Sequence, residues 1–141
     1  MYKRQLIARE KPWILGLVET KHDLVSEGWK RRIWGSTDVG WKEVAAEGRS
    51  GGLICAWDTG KWKVENVKSG NRWILLEGTL LQFNFDCAVL LLYCYSEGRA
   101  REILFEEVWS EIEMVHRPFL VMGDYNAVSY THLTLPTIYS V

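Results

Sequence analysis

Apolar residues in this chain fall into short runs separated by turn-forming residues, with one longer stretch at helical spacing. Trp13-Ile14-Leu15-Gly16-Leu17-Val18 is nearly continuous, the pattern of a strand buried on both faces. Ahead of it, Leu6 to Lys11 reads as the last turns of a helix stopped by Pro12. From Thr20 to Arg49 the pattern breaks into Gly, Ser, Asp and Trp, which predicts a long surface connection with little regular structure. Three strands are expected next, at Gly52 to Trp57, Trp62 to Val67 and Trp73 to Leu81, with turns at Asp58-Thr59-Gly60 and Ser69-Gly70-Asn71. Phe85 to Tyr95 is a further strand, most apolar at Ala88 to Leu92. Arg99 to Arg117 is the best helix: Ile103, Leu104, Val108, Ile112 and Val115 fall on helical spacing, with Arg101, Glu102, Glu106, Glu107 and Glu113 towards the other side. Pro118 ends it, and Phe119 to Met122 makes a last buried strand entering Gly123-Asp124-Tyr125-Asn126. The class is α/β, with sheets flanked by helices.

Composition narrows this only a little. With 141 residues, 48% hydrophobic and 25% charged, the chain suits one globular domain and is too short for two ordinary ones. A net charge of −1 gives no electrostatic signature of a nucleic-acid binder. No apolar run approaches the ~20 residues of a membrane helix. Cys55, Cys87 and Cys94 form neither an even set nor a CxxC pair, so they read as small core residues in a reducing compartment.

Both ends carry a foreign signature. Val128 to Thr137 matches, codon for codon, a translated transposase-type sequencing adapter, and Met1 to Gln5 matches the opposite strand of the same adapter. The plainer alternative is a natural start and a natural polar tail. The adapter reading sets residues 1–5 and 128–141 aside and leaves 6–127 as a partial domain, truncated at both ends. Its removal takes away Lys3 and Arg4 but no acid, so the remaining segment is more acidic than the whole chain.

Candidate chemistry lies where strands end. Glu19 directly follows one apolar run, and Asp124 and Asn126 follow another. Ligands collect outside the carboxyl ends of strands in open α/β sheets. Two carboxylates and an amide oxygen are hard donors suited to Mg²⁺. The same residues also read as a capping Asp and a turn Asn. His22 opens a loop, His116 closes a helix where a cation suits the dipole, and His132 is adapter; none is expected to be catalytic. Trp29 to Trp34 interleaves basic and aromatic residues but reads as a solvated face. Ser50-Gly51-Gly52 lacks the Lys-Ser/Thr of a phosphate loop and reads as a turn into a strand.

The pieces recur in a telling order: Leu17-Val18-Glu19-Thr20-Lys21, Gly48 to Leu53 with Trp57-Asp58 following, Leu92-Tyr93, and Pro118 to Asn126. In that order they resemble the endonuclease/exonuclease/phosphatase (DNase I-like) superfamily. More closely, they resemble the endonuclease domain of plant LINE-type (non-LTR) retrotransposons. The resemblance covers Leu6 to Asn126. It implies a four-layered α/β sandwich, a Mg²⁺-dependent endonuclease that hydrolyses a phosphodiester to nick target DNA, and a reverse transcriptase domain in the parent polyprotein. A nuclear location is implied with it. Glu19 matches the metal-ligand glutamate. Asp124 matches the residue that orients or deprotonates the attacking water at the metal, Asn126 the one that holds the scissile phosphate, and Tyr93 a tyrosine that contacts phosphate or substrate.

The chain departs from the family pattern in two ways. Tyr93-Cys94-Tyr95-Ser96 stands where the family has Tyr-Ala-Pro-Asn, so Ser96 lacks an amide. The family's first strand would precede Leu6, and its late Asp and Ser-Asp-His histidine would follow Asn126. As it stands the chain is therefore expected to cleave DNA poorly. A dead retrotransposon relic, an abasic-site endonuclease or a lipid phosphodiesterase are the alternative identities.

Overall fold

The computed structural model describes residues 5, 9–18, 20, 34–35, 38–47 and 50–125. Of the helical turns expected over Leu6 to Lys11, Arg9 and Glu10 are described as helical. Among the described residues there follow strands β1 Ile14–Val18, β2 Val39–Glu47, β3 Ser50–Asp58, β4 Trp62–Ser69, β5 Trp73–Leu80 and β6 Phe85–Tyr93. Helix α1, Gly98–Ile112, and strand β7, Phe119–Asp124, complete the set. Of the segments read as adapter, 1–5 and 128–141, only Gln5 is described, as an exposed helical residue; the rest lie outside the described residues.

The strands form two sheets. One has the order β1-β3-β2 and is antiparallel throughout; the other has the order β4-β5-β6-β7 and is mixed, because β6 and β7 run parallel. A parallel pair needs a long crossover, and α1 supplies it. The α/β class with mixed sheets is thus the observed one.

Alternation along the strands builds two apolar layers. Leu53, Cys55 and Trp57 of β3 meet Ile74, Leu76, Val89, Leu91, Tyr93 and Met122 of the second sheet. Fully buried Trp62 stands edge-on to both Trp13 and Trp57, with ring centroids 6.5 Å apart in each pair. Residues of the opposite parity, Trp73, Leu75, Ala88, Leu90, Leu92 and Cys94, are covered by Leu104 and Val108 of α1. On the far side of the first sheet, Leu15, Leu17 and Ile54 pack with Trp34 and Trp41, so β1 is apolar on both faces as its sequence predicts. Three layers (sheet, sheet, helix) of the expected four are seen among the described residues, which do not include 21–33.

Three expectations need correction. Thr20 to Arg49 is not all irregular, since β2 pairs with β3 along nearly its whole length. Its amphipathic signal is weak because glycine occupies an inward position: Gly40 lies under the indole of Trp57, which a Cβ there would strike. Helix α1 stops at Ile112, five residues short of Arg117. The amides of Glu113, Met114 and Val115 turn back onto the carbonyls of Trp109, Glu111 and Ile112, and Pro118 disfavours helix at the residue before it. Val115 still packs on the helix-side core from this turn. β7 is an edge strand and only half-buried, with Phe119 at 47% and Leu120 at 46% exposure.

The helix register gives a direct test. Leu104 is 4% exposed and Ile103 is 54% exposed, although helical spacing puts both on the inner face. Leu104→Ala is predicted to cost about 2–5 kcal/mol in urea unfolding followed by tryptophan fluorescence, and Ile103→Ala about 0.5 kcal/mol or less.

Candidate functional site

Three neighbouring strands of the second sheet meet at one edge. Trp73 is the register partner of Leu92, and the next residue out, Tyr93, donates its amide to the Arg72 carbonyl at 2.9 Å. Tyr93 is in turn the register partner of Asp124, whose carbonyl accepts from the Cys94 amide at 2.8 Å. Arg72 shares strand parity with Ile74, Tyr93 with Leu91, and Asp124 with Met122, all of which face the other sheet. Arg72, Tyr93 and Asp124 therefore form a row across β5, β6 and β7 on the inter-sheet face. Tyr93 is buried and Asp124 is exposed at the rim.

Gly123 sets the approach of the last strand. Its φ is 140°, and a Cβ there would run into the backbone carbonyl of Leu92, its partner on β6. Only glycine lets β7 lie this close while carrying Asp124 to the edge.

β1 brings its own end to the same place. Trp13, before β1, lines an apolar cleft with Phe85 and Val89 of β6 and Pro118 and Phe119 at the start of β7. Mid-strand, a Cβ on Gly16 would lie 2.8 Å from both Leu91 and Met122. β1 thus crosses the interface in the same sense as β6 and β7, and Val18 arrives on the side of Tyr93 and Asp124. Val18 pairs with Leu53, and the Thr20 amide donates to the Gly52 carbonyl at 3.2 Å. Glu19, between them, and Asn126 lie outside the described residues. Among the expected site residues, the structure brings Tyr93 and Asp124 together.

The donor set for a metal is correspondingly partial. Among the described residues no three His, Cys, Asp or Glu side chains come together. Asp124 contributes one hard carboxylate of the kind Mg²⁺ accepts alongside water.

The cysteines are not poised as thiolates. Burial pushes the Cys55 thiol up to about 12 and the Cys94 thiol to about 11, so both stay protonated at neutral pH. Cys87 is raised too, again by burial. Ser96 is exposed. Glu97 caps α1, accepting from the amides of Ala100 at 2.7 Å and Arg99 at 2.8 Å, and these bonds hold its carboxyl below the usual range. His116 lies beyond the end of α1 and not on its last turn. Trp29 to Ile33 lie outside the described residues, while Trp34 is half-buried against the first sheet. Ser50-Gly51-Gly52 opens β3, with φ of 92° and 91° at the two glycines, in keeping with a turn into a strand.

Sequence reasoning missed Arg72. Its guanidinium lies over the Tyr93 ring at 4.5 Å from the centroid and over the Tyr95 ring at 4.1 Å. The available signal was a lone cation opening an apolar strand, but only the pairing of β5 with β6 sets it beside Tyr93.

This geometry is a known fold. The chain superposes on the endonuclease/exonuclease/phosphatase family protein from Bacteroides thetaiotaomicron with a TM-score of 0.65, at 15% identity, covering 87% of this chain and 53% of that one. The human Nocturnin catalytic domain, solved with a bound sulfate anion, gives 0.60 at 16% identity, covering 87% and 54%. ANGEL2, a 2′,3′-cyclic phosphatase, gives 0.65 at 12% identity, covering 88% and 42%. The chain spans about half the length of the solved structures it resembles. No family model and no curated protein matches its sequence. At these identities the likeness defines the fold: a DNase I-like α/β sandwich.

Gly123→Ala is predicted to destabilise the chain by about 2 kcal/mol or more in urea unfolding, because it adds an unfavourable φ to a backbone clash. Gly98→Ala, where a Cβ meets nothing within 4 Å, serves as the control and should be close to neutral.

Proposed function

We propose that this chain is part of a Mg²⁺-dependent phosphodiesterase of the endonuclease/exonuclease/phosphatase superfamily, and that the parent is a LINE-type endonuclease that nicks DNA. The observation that carries the reading is the pairing of Tyr93 with Asp124 at the common carboxyl end of β6 and β7, the side to which β1 delivers Val18. The sequence order of the Glu-Thr-Lys, Gly-Arg-Ser-Gly-Gly and Gly-Asp-Tyr-Asn pieces supports it, as does the shared fold.

In this reading Glu19 and Asp124 would hold the metal, which would supply Lewis-acid polarisation of the phosphate. Asp124 orients or deprotonates the attacking water, Asn126 holds the scissile phosphate, and Tyr93 contacts it from the buried side. The late Asp and the catalytic His would be supplied by the remainder of the parent domain, and the reverse transcriptase by the rest of the polyprotein. The same reading takes 1–5 and 128–141 as adapter-derived, and the continuous locus would replace them with native sequence.

The test is to recover that locus, express the domain through its downstream half, and assay plasmid nicking in Mg²⁺. Nicking that falls at least about 100-fold in Asp124→Ala and in Glu19→Ala is predicted, with the 141-residue chain nearly inactive. In-frame stops downstream would favour the dead relic. Robust nicking by the 141-residue chain itself, abolished by Glu19→Ala, would show that the essential chemistry is misplaced.

A further inference from the structure

We propose that the end of the sandwich remote from the Tyr93–Asp124 edge is an interface for a second copy of this chain. β6 and β7 begin at that remote end, with Phe85 and Phe119 as their first residues. There Trp13, Phe85, Phe119 and Leu120 line an apolar cleft of about 240 Å³. All four stand in solvent, from 38% exposure for Trp13 to 47% for Phe119. The β5–β6 turn places Leu81 and Phe83 between Leu80 and Phe85, both of which line the cleft. Leu81 is 49% exposed, and Phe83, at 71%, is the most exposed large apolar residue among the described ones.

Size and symmetry name the occupant. A cavity of about 150 Å³ already takes a benzene ring, so this cleft has room for a phenyl side chain. Phe83 offers one, and it stands in solvent instead of filling the cleft beside it. Knob and cleft share one end of the molecule, so a two-fold axis lets Phe83 of each copy enter the cleft of the other. Such a contact closes on itself and does not propagate into a filament. Asn84, at φ 48°, takes the left-handed conformation that asparagine tolerates and so pre-sets the turn that carries the knob.

Area and charge agree with this occupant. With ~200 Å² for a whole aromatic side chain, the exposed parts of these apolar residues reach about 500 Å² per copy. Two copies would then cover about 1,000 Å² of apolar surface, the threshold of a specific interface before any polar rim is added. The rim carries both signs. Asp58 and Lys61 sit in the turn that packs on Leu81, and Asp86 and Arg117 both act on the Cys87 thiol in the cleft. Like copies therefore meet no field of a single sign, and each cation can lie against an acid of the partner. Pairing here leaves the Tyr93–Asp124 edges open at the two poles, each roughly 25 Å from the interface along the nine residues of β6.

Sedimentation equilibrium of the 141-residue chain across the micromolar range tests the interface. A reversible monomer–dimer equilibrium with no larger species is expected. Phe83→Asp, at the knob, and Leu120→Asp, in the cleft, should each weaken dimerisation at least about tenfold while the Leu104 and Val108 methyl signals stay in place. If Leu120→Asp disturbs those signals, Phe83→Asp decides alone. Ile103→Asp, at a position 54% exposed on α1, should leave the dimer as it is. A monomer throughout, open-ended polymers, or a dimer indifferent to Phe83→Asp overturns the interface. So does a dimer that disappears when the chain is extended by the downstream half of the recovered locus, which would assign the cleft to the rest of the domain.

Discussion

The whole arrangement hangs on β6 being buried on both faces. Ala88, Leu90 and Leu92 turn one way onto α1, while Val89, Leu91 and Tyr93 turn the other way onto β3 and Trp62. From Ala88 to Tyr93 the strand has no wet face and must recruit a layer on each side, so this part of β6 fixes both the sheet-on-sheet core and the helix-on-sheet core at once. Its parallel pairing with β7 forces the α1 crossover, and the crossover returns the chain so that both strands end together. The site is a consequence of that geometry: Tyr93 is simply the last residue of β6 and Asp124 the last of β7.

What could be read in the sequence was what apolar patterning encodes strongly. β1, β3, β4, β5 and β6 came within a few residues of their observed bounds because their buried positions are filled by Leu, Ile, Val and Trp. β2 escaped because its inward face uses Gly40 as a recess for Trp57 and its outward face is interrupted by Glu43, so no run of apolar residues announces it. The end of α1 escaped for another reason. Val115 stays on the apolar rhythm after the helix has stopped, packing on the core from a turn, so periodicity outlasted the helix itself.

The candidate site was legible to the same degree. Asp124 stood out because an acidic residue closes an apolar run after a glycine, and the structure supplies the reason for that glycine in the Leu92 carbonyl beneath it. Tyr93 stood out by its place after an apolar run. Arg72 did not, because its role depends on a cross-strand neighbour 21 positions away, and no local pattern encodes a stacked cation. The fold likeness to Nocturnin, ANGEL2 and the Bacteroides protein agrees with the architecture, and their sequences are too distant from this one to transfer residue roles.

The proposed function requires the ends of β1, β6 and β7 to share one metal-binding edge. Paramagnetic broadening by substoichiometric Mn²⁺ in the ¹⁵N-labelled chain tests it most directly. Thr20, Cys94 and Tyr125 amides should broaden together, and Asp124→Asn should remove the effect at all three. Broadening confined to the acidic surface of α1, around Glu102, Glu106 and Glu113, with the three strand-end amides untouched, would contradict it.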